Sequence, residues 1–260
     1  MDTTSQIEEL TRRLKEIEKE NKHLHELNEK KDRIFSMLSH DLRSPFQSLL
    51  GLSEILSSEA GSMPVEEIIE FSGILNNAIK NQYELLSHVL DWARLQRNKT
   101  AFSPKRIVLF EIADKVFKMM LPVVKNKNIE LVSGIKKDTI VTADEDMITV
   151  ILKNLISNAI KFSNKGRTVK VIAENTGYAC NISVIDNGVG LTREAIEKIF
   201  RFDSKYSDLG TEGETGLGIG LMIICEMLER HNSKLSVESE INKGSKFTFT
   251  LPEHNNIPAN

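Results

Sequence analysis

Four clusters along the chain combine residue types and spacings that suit chemistry. The first is Ser39-His40-Asp41-Leu42-Arg43-Ser44-Pro45. A neutral imidazole on a surface is a competent nucleophile, and an adjacent carboxylate can hold one ring N–H or take up its proton. A surface histidine is usually just solvated, and His23 and His25 read that way. His40 differs in the acid beside it and in the proline five residues on, which bends a helix. The second cluster is Asn154 to Phe162. Asn154, Asn158 and Lys161 fall at i, i+4 and i+7, on one helical face, opposite Val150, Ile151, Leu155, Ile156 and Ile160. Two carboxamides and an ammonium on one stripe suit a metal–phosphate group, although on its own the stripe reads more readily as a solvated face.

The third cluster is Asp186-Asn187-Gly188-Val189-Gly190. Asp186 is in phase with Cys180, Ile182 and Val184 on the preceding strand, so its carboxylate points inward at the strand end. A buried carboxylate needs a partner, and the exocyclic amine of a nucleobase is one. Gly188 and Gly190 allow a tight turn and close approach of a ligand. The fourth is Gly216-Leu217-Gly218-Ile219-Gly220, opening an apolar helix where backbone N–H groups converge on an anion. It lacks the upstream strand of a dinucleotide fold and the GK[ST] of a P-loop. The polar stretch from Phe200 to Glu214 that precedes it is about the size of a mobile lid.

These clusters need elements to hold them. Ile7, Leu14, Asn21, Asn28 and Phe35 fill heptad position a, and Leu10, Ile17, Leu24, Lys31 and Leu38 fill d, a coiled-coil seam weakened in its middle. In this register His40 lies at the outward position f. The register continues past Pro45 through Leu49, Leu52 and Leu56. Residues 57–64 read as a turn. A second helix over about 65–97 carries the stripe Ile68, Phe71, Leu75, Ala78, Leu85, Val89 and Trp92, interrupted by Gln82. Such a hairpin exposes apolar surface on more than one side, so two copies would form a four-helix bundle. From residue 104 the pattern alternates. It predicts strands at 104–110, 129–135, 139–142, 168–174, 178–186, 234–238 and 246–251. Helices are predicted from 110 to about 125 and at 144–162, 192–199 and 218–231. This is an α+β layered sandwich.

Composition bounds the rest. The chain has 260 residues, 40% hydrophobic and 27% charged, enough for a sizeable core. Its net charge of -3 argues against nucleic acid as a partner. No apolar run approaches the roughly 18 residues of a membrane span. The acidic, polar N-terminus is unlike a secretory signal. Cys180 and Cys225 sit in apolar stretches and are expected to be core residues of a protein in a reducing cytosol.

Taken together and in order, residues 30 to 252 resemble the catalytic core of a sensor histidine kinase. The H box lies at His40, the N box at Asn154–Phe162 and the glycine boxes at Asp186–Gly190 and Gly216–Gly220. An aromatic box lies at Phe200-Arg201-Phe202. The resemblance implies a signalling coiled coil over 1–30 and a dimerisation and histidine-phosphotransfer domain over 31–100. A GHKL (Bergerat) ATP-binding α/β two-layer sandwich over 101–252 and a tail over 253–260 complete the chain. It implies that His40 is phosphorylated from ATP with help from Asp41. Asn158, and with it Asn154, would hold Mg²⁺. Lys161 would contact phosphate, Phe162 the adenine ring and Asp186 the adenine amine. Gly188, Gly190, Gly216, Leu217, Gly218 and Gly220 would shape the pocket. The partners implied are a second copy of the chain and a response-regulator receiver domain, which this sequence lacks. The location implied is the cytoplasm, for a soluble kinase or the cytoplasmic part of a receptor.

Some positions depart from the family. Ser44 stands where the phosphatase motif usually has Thr or Asn, and Leu217 at a common Thr position. His231-Asn232-Ser233 replaces a His-Gly-Gly turn. Two other readings compete: a GHKL enzyme that hydrolyses ATP, and a nucleotide-gated dimer without catalysis. Hydrolytic relatives typically carry at the position of Asn154 a Glu that activates water. An amide cannot act as that base, which favours transfer to a side chain.

Overall fold

The computed structural model describes residues 3–97, 102–200, 211 and 219–253; side chains of some helical residues, 31–45 among them, lie outside the description. The chain forms two compact units, Met1–Gln82 and Tyr83–Asn260.

In the first unit, α1 runs unbroken from Thr3 to Glu59, and α2 (Val65–Arg97) begins there. Pro45 does not end α1, as expected. The turn is shorter than the sequence suggested, because Ser58 donates its hydroxyl to the Glu54 carbonyl and Ala60 N–H still reaches Leu56 O, extending the helix to Glu59. The expected stripe is present: Ile68, Phe71, Leu75 and Ala78 are half-buried on α2, as are Leu49, Leu52 and Leu56 on α1. A second set stays exposed: Leu10, Leu14 and Ile17 on the predicted seam, Phe46 and Leu50 farther along α1, and Val65, Ile69 and Ile79 on α2. Among the described residues, no helix is long and apolar enough to cross a membrane.

The second unit contains β1 (Lys105–Val108), α3 (Leu109–Lys127), β2 (Glu130–Gly134), β3 (Ile140–Ala143) and α4 (Glu145–Lys161). Then follow β4 (Thr168–Asn175), β5 (Ala179–Asp186), α5 (Arg193–Phe200), α6 (Ile219–Arg230), β6 (Ser236–Glu240) and β7 (Gly244–Pro252). The main sheet has the order β2-β4-β5-β7-β6, antiparallel except for the β2–β4 pair, and β1 pairs with β3 in a separate ribbon. Helix α4 packs on β4 and β5 between α3 and α6, giving the expected two layers. The first strand is shorter than expected: Leu109 already begins α3, and its N–H donates to Thr139 O. A short apolar run such as Ile107–Phe110 does not by itself distinguish strand from helix.

The central helix has clear local causes. Asp144 caps α4 by accepting from Met147 N–H at 3.1 Å, and Glu145 and Asp146 lie in its first turn, where the helix dipole favours negative charge. Ile148, Ile151, Leu152, Leu155 and Ile156 then bury one broad stripe, each worth about 1.5–3 kcal/mol. Leu155→Ala would remove roughly 2–5 kcal/mol. Cys180 is buried and Cys225 half-buried, and neither forms a disulfide; burial pushes the Cys180 thiol up to about 11.

Candidate functional site

The strand phase places Asp186 as predicted. It ends β5 and is only 5% exposed, on the face that buries Cys180, Ile182 and Val184. Its Oδ1 accepts from Gly188 N–H at 2.9 Å and Ser245 N–H at 3.2 Å. Burial pushes its carboxyl above the usual carboxylate range, against the lowering effect of these two N–H groups. Among the described residues no hydrogen bond is made to Oδ2. One oxygen therefore fixes the carboxylate, and the other remains to accept from a ligand.

The loop after Asp186 is clamped on two sides. On one, Val189 N–H donates to Phe162 O at 3.1 Å, and a β-carbon on Gly188 would lie 2.2 Å from that carbonyl oxygen. On the other, Asn242 N–H donates to Val189 O at 2.7 Å. Gly190 there has φ +70°, and a β-carbon on it would lie 2.0 Å from Glu240 O. Only glycine fits either position without displacing backbone. The clamp joins the C-terminal end of α4 to the Asp186 loop, so the second and third sequence clusters form one site.

On α4 the polar stripe is not a solvated face. Asn154 is 5% exposed and donates its side-chain N–H to Val150 O at 2.9 Å, which leaves its Oδ1 as the atom available to a cation. Asn158 and Lys161 are half-buried, and the Lys161 ammonium lies 5.3 Å from the centre of the Phe162 ring. Neutral carboxamide oxygens suit a cation that brings phosphates as its other ligands. Among the described residues, no cluster of three His, Cys, Asp or Glu could hold a metal alone. The donor set thus fits Mg²⁺ carried with a nucleotide.

Of the second glycine cluster, Gly220 is buried in the first turn of α6, whereas Gly216, Leu217 and Gly218 lie outside the described residues. So do Arg201 and Phe202 of the aromatic box. His40, Asp41 and Ser44 lie on α1, with side chains outside the description.

Several residues of the site gave no obvious sequence signal. Ser245 orients Asp186 through its N–H. Gly244, at φ +101°, brings the β6–β7 turn against the Asp186 backbone, where a β-carbon would meet Asp186 O at 2.0 Å. At the other end of α4, Asp144 N–H donates to His231 Nε2 at 3.0 Å, and His231 Nδ1–H donates to Met227 O at 2.8 Å. Ser103 N–H reaches Asp144 Oδ2 at 3.1 Å, and Phe102 stacks edge-on against the His231 ring. This knot ties β1's approach, α4 and α6 together. Burial pushes the His231 imidazole down, so it stays neutral and accepts.

Residues 143–255 match the sequence family described as histidine kinase-, DNA gyrase B-, and HSP90-like ATPase. The family match spans α4, the Asp186 loop and every later element of the site. The chain is 27% identical over 242 residues to the adaptive-response sensory kinase SasA of Crocosphaera subtropica, covering 91% of this chain and 63% of SasA. It thus spans less than two thirds of that relative's length. Among solved structures, the catalytic domain of histidine kinase ThkA is 27% identical with a TM-score of 0.51, covering 58% of this chain and 96% of ThkA's domain. Histidine kinase ThkA in complex with response regulator protein TrrA shares the fold, with a TM-score of 0.65 at 21% identity over 85% of this chain and 61% of that one.

Proposed function

We propose that the chain is the core of a sensor histidine kinase that phosphorylates His40 from ATP and passes the phosphoryl group to an aspartate on a separate response regulator. The carrying observation is the buried Asp186, with one carboxylate oxygen fixed by backbone N–H groups, the other without a hydrogen bond among the described residues, and its loop clamped to the C-terminal end of α4. In this reading Asp186 Oδ2 accepts from the adenine amine and Phe162 lies against the base. Asn158 and Asn154 hold Mg²⁺, and Lys161 reaches phosphate. Gly188, Gly190, Gly216, Gly218 and Gly220 keep side chains out of the pocket. When bound, Mg²⁺ neutralises charge that builds on the phosphates.

A ring nitrogen of His40 attacks the γ-phosphorus as the bond to the ADP oxygen breaks. The proton on the other ring nitrogen passes to Asp41. Catalysis then rests on positioning and charge neutralisation. Ser44, four residues on, is the candidate to orient water in a phosphatase reaction, in which water takes the phosphoryl group and inorganic phosphate leaves. The exposed apolar residues of α1 and α2 support a homodimer, with residues 1–30 as a coiled coil and 31–100 as the phosphotransfer bundle. The ATP-binding domain then occupies 101–252. The reading places the activity in the cytoplasm, alone or as part of a receptor.

Incubation with γ-labelled ATP tests it. The expected result is acid-labile, alkali-stable label on the protein, mapped to His40 at neutral pH and absent in His40→Gln. Release of free phosphate with no labelled protein would establish hydrolysis instead.

A further inference from the structure

Among the described residues of the second unit, the least exposed lysine is one that the proposed chemistry does not use. Lys127 is the last residue of α3 and is 2% exposed. Its Nζ donates to Lys161 O at 2.8 Å, to Ile160 O at 3.3 Å and to Thr211 Oγ1 at 2.8 Å. Thr211 closes the arrangement: its N–H donates to Lys161 O at 3.2 Å, and its hydroxyl reaches Ser163 O at 2.9 Å and Lys161 O at 3.1 Å. The last carbonyls of a helix have no partner within the helix. Here a buried cation supplies one, at the end of the helix where the dipole favours positive charge.

Those carbonyls belong to the backbone that carries the site. Lys161 and Phe162 spring from it, and Phe162 O holds the Asp186 loop through Val189 N–H. Asp186 itself has independent anchors in the Gly188 and Ser245 N–H groups. Loss of the Lys127 donors would therefore disturb the phosphate-facing end of α4 more than the carboxylate.

We propose that Lys127, acting with Thr211, is a positioning residue that fixes the end of α4 so that Lys161 meets the phosphates of a bound nucleoside triphosphate. This rests on the nucleotide reading above. A misplacement of about 1 Å suffices to lose one or two orders of magnitude where a charged group must meet its partner.

The test measures ATP and adenosine affinities of the full chain by competition against a fluorescent ATP analogue. Variants are Lys127→Met, which keeps the length of the side chain without its charge, and Thr211→Val, which removes only the hydroxyl. Measurements are made where circular dichroism shows each protein folded. ATP affinity is expected to fall about tenfold in Lys127→Met and about threefold in Thr211→Val, with adenosine, which loses only part of its Phe162 contact and keeps Asp186, falling by less than half the ATP factor in each variant. Equal loss of ATP and adenosine would reduce Lys127 to a structural lysine and overturn the proposal. So would unchanged ATP affinity in both variants. If Lys127→Met does not fold, Thr211→Val decides alone by the same criteria. Wild-type protein that binds neither ligand would overturn the nucleotide reading, and the role of Lys127 with it.

Discussion

Gly244→Ala tests whether the β6–β7 turn sets the carboxylate of Asp186. The glycine has φ +101°, where a residue with a β-carbon is strained by roughly 1–3 kcal/mol. The new methyl would also lie 2.0 Å from Asp186 O and 2.9 Å from Asn187 Cα, about 1.4 Å short of ordinary contact with the oxygen. Both neighbours are backbone, so the turn or the end of β5 must shift. The hydrogen bond most exposed to that shift is Ser245 N–H to Asp186 Oδ1, already 3.2 Å long. A bond to a charged acceptor is worth roughly 1.5–3 kcal/mol. The substitution should therefore cost about 3–5 kcal/mol of stability, and ATP affinity should fall by at least tenfold because the carboxylate moves. Urea unfolding and isothermal titration with ATP read the two effects. Gly166→Ala is the control: Gly166 also has positive φ, +75°, but nothing within 4 Å of the added carbon. It should lose only the strain, about 1–3 kcal/mol, with ATP affinity unchanged. The reasoning fails if Gly244→Ala matches Gly166→Ala in both measurements.

Asp186→Asn separates binding from stability. The folded-state pKa of Asp186 lies above its unfolded value, so its contribution to stability is present below the unfolded pKa of 3.8 and lost as pH rises through the folded value. At neutral pH the amide should leave the ligand-free protein at least as stable in urea, while ATP affinity drops more than about tenfold; a large loss of stability with binding intact would contradict this. His231 has the opposite sign: its folded-state pKa lies below 6.5, so stability is full above that value and falls as pH drops through the folded pKa. The urea midpoint should decline as pH falls below about 6.5, and His231→Gln should flatten that decline; equal slopes would refute it. Replacing Leu50 and Ile69, both largely exposed, with Lys should convert a dimer to a monomer in analytical ultracentrifugation without loss of helix by circular dichroism. A variant that remains dimeric would remove those positions from the interface.

The sequence read well wherever one element contained its own signal. Helix α4 was legible because its cap, its acidic first turn and its apolar stripe are all local. Asp186 was legible because period-two alternation alone puts it in line with Cys180, Ile182 and Val184. Gly244 was not: its positive φ belongs to the local β6–β7 turn, but the approach to Asp186 O that leaves no room for a β-carbon arises from β7 lying beside β5, a pairing set by tertiary structure. Asn154 shares a helical face with Asn158 and Lys161 by spacing alone, but its burial depends on what packs around α4. Lys127 had a usable signal: it continues the stripe of Val116, Met120 and Val124 at helical spacing, the same phase argument that located Asp186. A lysine near a helix end reads so readily as solvated that the phase is easily passed over.

These buried polar groups follow one physical rule, and one of them breaks it usefully. A polar group removed from water must find partners inside, and turns and helix ends are where backbone groups are free to serve. Lys127 takes carbonyls at the end of α4. His231 takes the Asp144 N–H at its start, and Asn154 takes a carbonyl from the preceding turn. Each of these bonds improves the resting fold. Asp186 is satisfied on Oδ1 alone, and burial disfavours its charge. A fold optimised only for stability would place an amide there, which would keep both backbone bonds without the charge. Retaining a carboxylate makes sense if a donor arrives from outside, and the open Oδ2 then gains from the ligand what the ligand-free protein forgoes.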